Sequence, residues 1–215
     1  MINTIELKEQ MKIELKQVFN ENLNRIKNVV NVNLENAEKY LNNALIYIDN
    51  NHEFINNNEG VKFAIDNRSV AKMYTDIIIN GWLLEDLIIE NLNWYKLFKL
   101  ELDGIDKNRK FGRYVKANAD MKIGNQKIEL QTINNKYDII KLKENKLNKC
   151  LEQKSLILFY NINTDLYCML DTKELQKIKF TQMEMIYSGK IGYKLDSRKY
   201  KQYTEHEIVN ILKYC

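Results

Sequence analysis

Proline is missing from all 215 residues, cysteine occurs three times, and histidine and tryptophan occur twice each. The three cysteines (Cys150, Cys168, Cys215) are an odd number at unrelated spacings, so no disulfide framework follows from them. With only His52 and His206 beside them, no zinc-ligand spacing arises either. No apolar run reaches the roughly 20 residues that span a bilayer. The opening MINTIELKEQMKIELK carries acidic residues and lacks the apolar stretch of a secretory leader. A cytoplasmic protein without a membrane partner is the expectation. A GxxxxGK[ST] phosphate loop is also missing, so nothing suggests nucleotide-driven translocation. The lack of proline accompanies abundant Asn, Lys and Ile, which an AT-rich coding genome produces unaided. The asparagines are therefore no evidence for adenine recognition.

What is present describes a folded chain. It is 45% hydrophobic and 29% charged, and its length suits one substantial core with a helical addition. The formal charge of +4 is mild, but it is unevenly spread. KNRKFGR at 107–113, the lysines between Lys136 and Lys154, and DSRKYKQY at 196–203 are locally basic. Such runs suit either phosphate contacts or ordinary solvated faces. In 187–203, tyrosines alternate with Lys194, Arg198, Lys199 and Lys201, which fits a DNA-facing surface or an edge hairpin equally.

Periodicity divides the chain near Trp94. Before it, Ile5, Met11, Leu15, Val18, Phe19, Leu23 and Ile26 recur at helical spacing, as do Ala37, Leu41, Ala44, Leu45 and Ile48. A third helical stretch runs from Ser69 to about Asn93, with Gly81 marking a break or a close packing contact, and Trp82 and Trp94 are expected in the core. After it, WYKLFKLELDGID, RYVKANADMKI and KIELQTI read as strands, the last two joined by a tight turn at Gly124 and Asn125. DIIKLKENKLNKCLEQ reads as a helix, SLILFYNI and LYCMLDT as strands, and TEHEIVNILKY as a helix opened by a Thr204–Glu207 capping box. The fold class expected is α/β (α+β), a central mixed sheet flanked by helices. Residues 1–80 form a helical region serving dimerisation or as a DNA clamp, and 81–215 form the core with a basic, aromatic extension. The two together make one compact unit.

One stretch of the core carries chemistry. In ADMKIGNQKIELQ, Asp120 and Glu129 sit on strands joined by a tight turn, so their carboxylates can meet on one face. Strand parity puts Lys127, Glu129 and Gln131 on that face and Ile128, Leu130 and Thr132 on the other. Two carboxylates held so close repel each other unless a cation lies between them, and hard oxygen donors suit Mg²⁺. Glu85, on the preceding helix, is a further carboxylate for the same pocket. A plainer account makes these charges decoration on a half-exposed hairpin. Similar strings occur without such context. Glu6-Leu7-Lys8, Glu14-Leu15-Lys16 and Glu144-Asn145-Lys146 fall on helical patterns, and Asp171-Thr172-Lys173, with Asp165 before it, is the nearest competitor.

The order of GWLLE on a helix, Asp120 on a hairpin strand, E-x-Q on the next, then a helix and a strand resembles the PD-(D/E)XK nuclease superfamily, which includes type II restriction endonucleases. The resemblance covers roughly residues 81–171 and is one of pattern and order. It implies a restriction-endonuclease-like αβββαβ core and Mg²⁺-dependent hydrolysis of double-stranded DNA that leaves 5′-phosphates. It also implies a homodimer acting on a palindrome. By the same resemblance, Asp120, Glu129 and the backbone carbonyl of Leu130 bind the metal, and Gln131 and Glu85 complete the catalytic group. Ala119 stands where the motif has proline and Gln131 where it usually has lysine. An amide orients water but carries no charge, so Lys127 or Lys136 is a candidate for the missing cation. Arg113, Lys127, Lys136, Lys194, Arg198, Lys199 and Lys201 are the DNA-binding candidates. A structure-specific or phage-type nuclease of the same fold, or a non-catalytic nucleic-acid-binding module, would fit the same residues.

Overall fold

The computed structural model describes residues 4–56, 69–103, 108, 109, 111, 119–133, 137–187 and 190–215, without the side chains of 4, 52–56, 187 and 190. The chain is a mixed α+β protein with a six-stranded and a three-stranded sheet among the described residues. It divides into two compact units, residues 1–87 with 108–115, and residues 88–107 with 116–215.

The first unit is built from helices. In α1 (Thr4–Ile26) the fully buried side chains are Leu15 and Phe19, one turn apart. In α2 (Leu34–Asn56), Ala37, Tyr40, Ala44 and Ile48 form the buried stripe, and the axis kinks at Asn51, whose φ of −136° is not helical. Then α3 (Val70–Thr75) starts under Ser69, whose hydroxyl accepts from the Lys72 N–H. It runs straight into a π-helical segment, Asp76–Leu83, and on into α4 (Leu84–Trp94). Gly81 therefore marks neither a break nor a close contact. A β-carbon there would lie 4.0 Å from its nearest neighbours, at ordinary van der Waals distance. The wider turn changes the helical register instead.

Trp82 is 3% exposed and packs against Tyr40 and Phe111, with ring centroids 5.5 and 4.8 Å away. The second tryptophan departs from expectation. Trp94 is 77% exposed, because Leu84, Ile88 and Leu92 form the buried stripe of α4 and residue 94 lies two positions past it, on the opposite side.

The second unit holds the sheets. Strands β1 (Leu100–Leu102), β2 (Met121–Ile123) and β3 (Gln126–Ile133) form an antiparallel meander. The β2–β3 turn uses Gly124 at φ 54°, a left-handed conformation that glycine adopts without steric cost. The chain then passes through β4 (Ile139–Lys143) and α5 (Glu144–Gln153) to β5 (Leu156–Asn161), which pairs parallel with β3. A parallel return of this kind needs a crossover, and α5 lies in it. Antiparallel β6 (Leu166–Leu170) follows, and the short β9 (Gln202–Tyr203) completes the order β1-β2-β3-β5-β6-β9.

The remaining elements are α6 (Thr172–Lys179), β7 (Glu184–Tyr187), β8 (Lys190–Asp196) and α7 (Glu205–Leu212). α7 has the expected capping box, formed by Thr204 and Glu207.

Three sequence expectations change here. DIIKLK is not the first turn of a helix but strand β4, because its alternation buries Ile140 and Leu142 and pairs them with Leu195 and Tyr193 of β8. The strands expected from Trp94 and from Arg113 shrink to Leu100–Leu102 and Met121–Ile123, with residues 112–118 outside the described set. Helix α6 was not expected. Asp171 caps it by accepting from the Glu174 N–H at 2.9 Å.

A buried cluster lies between the two sheets and the helices of this unit. Ile133, Ile157, Phe159, Cys168 and Leu170 of the larger sheet meet Leu147 and Cys150 of α5, Leu175 and Ile178 of α6, and Ile140, Leu142, Tyr193 and Leu195 of the smaller sheet. Glu129 lies on this covered face of β3, four residues before Ile133 and on the same side of the strand.

Candidate active site

Asp120 occupies the bend just before β2, and the β2–β3 register pairs Met121 with Ile128. Continued one step, that register sets Asp120 opposite Glu129. Two bonds fix it there. Its main-chain carbonyl accepts from the Asp103 N–H at 2.9 Å, and its Oδ2 accepts from the Leu130 N–H at 2.9 Å. The carboxylate thus takes over from the backbone ladder where β2 ends, reaching one residue beyond Glu129. Ala119, in the position of the motif's proline, is 1% exposed.

Glu129 is 2% exposed, unusual for a carboxylate unless it is paired. Its partners come from α5. Lys146 Nζ forms an ion pair with Oε1, and Lys149 Nζ lies 3.8 Å from Oε2. That second distance is too long for a hydrogen bond, and buried Oε2 has no hydrogen-bond donor among the described residues. Burial works against the charge on Lys146, but the carboxylates of Glu129 and Asp120 outweigh it and hold its pKa above the ordinary lysine value. Burial also pushes the Cys150 thiol up to about 12, with Glu129 adding to the rise, so Cys150 is an inert neighbour.

Gln131 is half-buried on the same strand face, opposite Phe159 of β5. Leu130, whose carbonyl is the third candidate ligand, turns its side chain to the other face, where it is 6% exposed. Lys127 is half-buried and stands opposite Lys122 of β2. The structure therefore brings Asp120, Glu129 and Gln131 together on neighbouring strands of one unit. Among the described residues, no group of three or more His, Cys, Asp or Glu side chains is placed to hold a metal ion. Mg²⁺ does not require one, since it keeps several waters and is held by one or two carboxylates. Two opposed carboxylates, one with a buried oxygen that has no hydrogen-bond donor among the described residues, fit such an ion.

Glu85 belongs to the first unit, where its carboxylate is engaged. Arg109 Nη1 donates to Glu85 Oε2 at 2.5 Å and Nη2 to Asp86 Oδ1 at 2.6 Å. Tyr40 donates to Asp86 Oδ2 at 2.5 Å, and burial, reinforced by that carboxylate, pushes its pKa up to about 12. Arg109 is 4% exposed. Of the basic run 107–113, this residue at least faces inward and is not available to phosphate.

The competing string is structural. Asp171 caps α6, and Asp165, in a left-handed turn at φ 57°, accepts from Tyr160 Oη at 2.8 Å.

The DNA-binding candidates divide. Arg113 and Lys136 lie outside the described residues. Lys194 pairs with Glu184 at 2.8 Å, and Arg198 pairs with Asp196 through both Nε and Nη2. Lys199 and Lys201 line a groove of about 340 Å³ with Tyr200, Tyr203, Met169, Asp171 and Glu174.

No family model, curated protein or solved structure matches the chain. What can be said of function therefore rests on the residues themselves. Sequence reasoning missed Lys146 and Lys149. They were visible as members of a lysine-rich stretch, and their spacing of three on a helix that buries the neighbouring Leu147 and Cys150 was the available signal. No helix among the described residues is long and apolar enough to cross a membrane.

Proposed function

We propose that the chain is a Mg²⁺-dependent endonuclease for double-stranded DNA of the type II restriction kind, on a PD-(D/E)XK-like core, acting as a homodimer and leaving 5′-phosphates. The supporting observation is Asp120 opposite a buried Glu129 whose Oε2 has no hydrogen-bond donor among the described residues. The chain order α4-β1-β2-β3-α5-β5, with β3 and β5 parallel, is in keeping with an αβββαβ core. β4 is an extra strand inserted before α5 and belongs to the smaller sheet.

Asp120, Glu129 and the Leu130 carbonyl would hold the cation. When bound, Mg²⁺ supplies Lewis-acid chemistry, drawing charge from the phosphate and lowering the pKa of water. The Leu130 N–H keeps Asp120 oriented before any ligand arrives, so little reorganisation is needed. Gln131 orients the attacking water by hydrogen bonding. Lys199 and Lys201, with Tyr200 and Tyr203, give the groove beside α6 the cation and aromatic chemistry of a DNA contact. The proposal needs nothing from Glu85.

One observation favours a second reading. Lys146 already neutralises Glu129, as it would in a nucleic-acid-binding module with an idle carboxylate. Isothermal titration of the protein with Mg²⁺ separates the two. The nuclease reading expects binding that is lost in Asp120→Asn, and the module expects none.

A further inference from the structure

We propose that Lys146 is a catalytic residue of this site, the ammonium that meets the scissile phosphate on the Glu129 face. The inference rests on the nuclease reading. It starts from a charge balance. The strand face offers two carboxylates and a neutral amide, Asp120, Glu129 and Gln131, and must receive a phosphodiester that is itself an anion. Hydrolysis adds more negative charge. The oxygen of water bonds to phosphorus, and the P–O3′ bond breaks with its electron pair going to O3′. One proton leaves the water for solvent, and O3′ takes one from solvent, giving a 5′-phosphate and a 3′-hydroxyl. The excess charge gathers on the phosphoryl oxygens, so a fixed cation near them lowers the barrier. One divalent ion shared by two carboxylates leaves little positive charge for that purpose.

The described part of β3 provides no suitable cation. Lys127 is two residues before Glu129 and stands against Lys122. The cation comes from α5. Lys146 Nζ is paired with Glu129 Oε1, and its side chain is 30% exposed, against 16% for Lys149. Its end touches the buried carboxylate, and the side chain as a whole keeps partial exposure to solvent. Helix α5 is anchored for this by Leu147 and Cys150, 0% and 1% exposed, which fix the azimuth of residue 146 on the helix. The stretch that spells Glu144-Asn145-Lys146 therefore contributes a residue to the site, although not as a motif of its own. Lys146 transfers no proton in this account. It rests on Glu129 until cation and phosphate arrive, then serves the phosphate.

The test compares wild type with K146Q, K146R, Q131K and the double variant K146Q/Q131K, all checked for folding by circular dichroism. Single-turnover cleavage of linear plasmid DNA should fall on the order of a hundredfold in K146Q, the usual loss when one charge-stabilising group is removed. K146R keeps a cation for Glu129 and guards against a folding defect, so it should melt like wild type and lose less. Adding Q131K to K146Q should restore at least about tenfold, since it returns an ammonium to the same face. A readout independent of turnover is Mn²⁺ titration of the DNA-free protein. Removing the ammonium that competes for Glu129 Oε1 should tighten Mn²⁺ binding in K146Q severalfold. Wild-type cleavage by K146Q, with Asp120→Asn inactive, would overturn this inference and leave the nuclease reading standing. So would a rate loss that Q131K does not repair, which would mark Lys146 as a structural counter-ion. Absence of Mn²⁺ binding and cleavage in wild type would overturn both.

Discussion

Asp120 and Glu129 are both carboxylates, yet their surroundings assign them different work. Asp120 has one oxygen fixed by the Leu130 N–H, so its orientation comes from backbone geometry. Glu129 is buried and depends on Lys146. This makes Asp120→Asn the cleaner substitution. The amide oxygen can still accept from Leu130, so folding should be kept while the charge is lost. Cleavage by Asp120→Asn is expected to fall by about a thousandfold or more, with a melting temperature near wild type. Wild-type turnover would remove Asp120 from the site.

Arg109 supports the opposite kind of prediction. It is 4% exposed and bridges Glu85 and Asp86, so Arg109→Met would strand two partly buried carboxylates. A loss of roughly 3 kcal/mol in unfolding free energy is expected in chemical denaturation, as for other broken buried pairs. An unchanged midpoint would show the pairs to be idle.

At the scale of elements, close approach and capping decide what is replaceable. Gly192 of β8 faces β4, and a β-carbon there would collide with the Leu142 carbonyl and come within 2.6 Å of Ile186 Cδ1. Backbone cannot yield as a flexible side chain does, so Gly192→Ala should cost about 2 kcal/mol by denaturant titration, as overpacking typically does. Helix α7 gives a pH-dependent case. The Thr204 backbone N–H, and then its hydroxyl, donate to Glu207 and hold its pKa below the ordinary glutamate value. A depressed carboxylate pKa contributes stability above the unfolded value, about 4.3. That contribution is lost as pH falls through the folded value. Glu207→Gln, which removes the charge, should therefore lower the melting temperature at pH 7 and converge on wild type in acid.

The capping box was legible because it is local, written in residues 204 and 207 alone. So were the β2–β3 turn, from Gly124 and Asn125, and the two-residue parity of β3. β4 was not legible. Its IIKLK run is short and leads into a helix, and only the distant partner β8 makes it a strand. Trp94 was misjudged because an aromatic residue at a helix end can fall on either side of the stripe. The Glu129 environment was half legible. The facing carboxylates followed from strand spacing, whereas Lys146 depended on how α5 packs.

For the whole molecule, the relevant quantity is charge. A formal +4 is too small to guarantee nucleic-acid binding, and Lys194 and Arg198 are neutralised by Glu184 and Asp196. DNA affinity should then depend on a few cations, with Lys199 and Lys201 among them. Each phosphate contact removed lowers the slope of log K against log salt by about 0.9. Replacing both lysines with glutamine should therefore flatten that slope by nearly two, measured by fluorescence anisotropy on duplex DNA with Ca²⁺ in place of Mg²⁺. An unchanged slope would place DNA elsewhere on the protein. The most direct test of the central claim is digestion of long linear DNAs of known sequence with wild type and Asp120→Asn, each with Mg²⁺ and with EDTA. The account predicts discrete fragments with 5′-phosphates only for wild type with Mg²⁺. DNA left intact across several genomes, or fragments produced equally by Asp120→Asn, would contradict it.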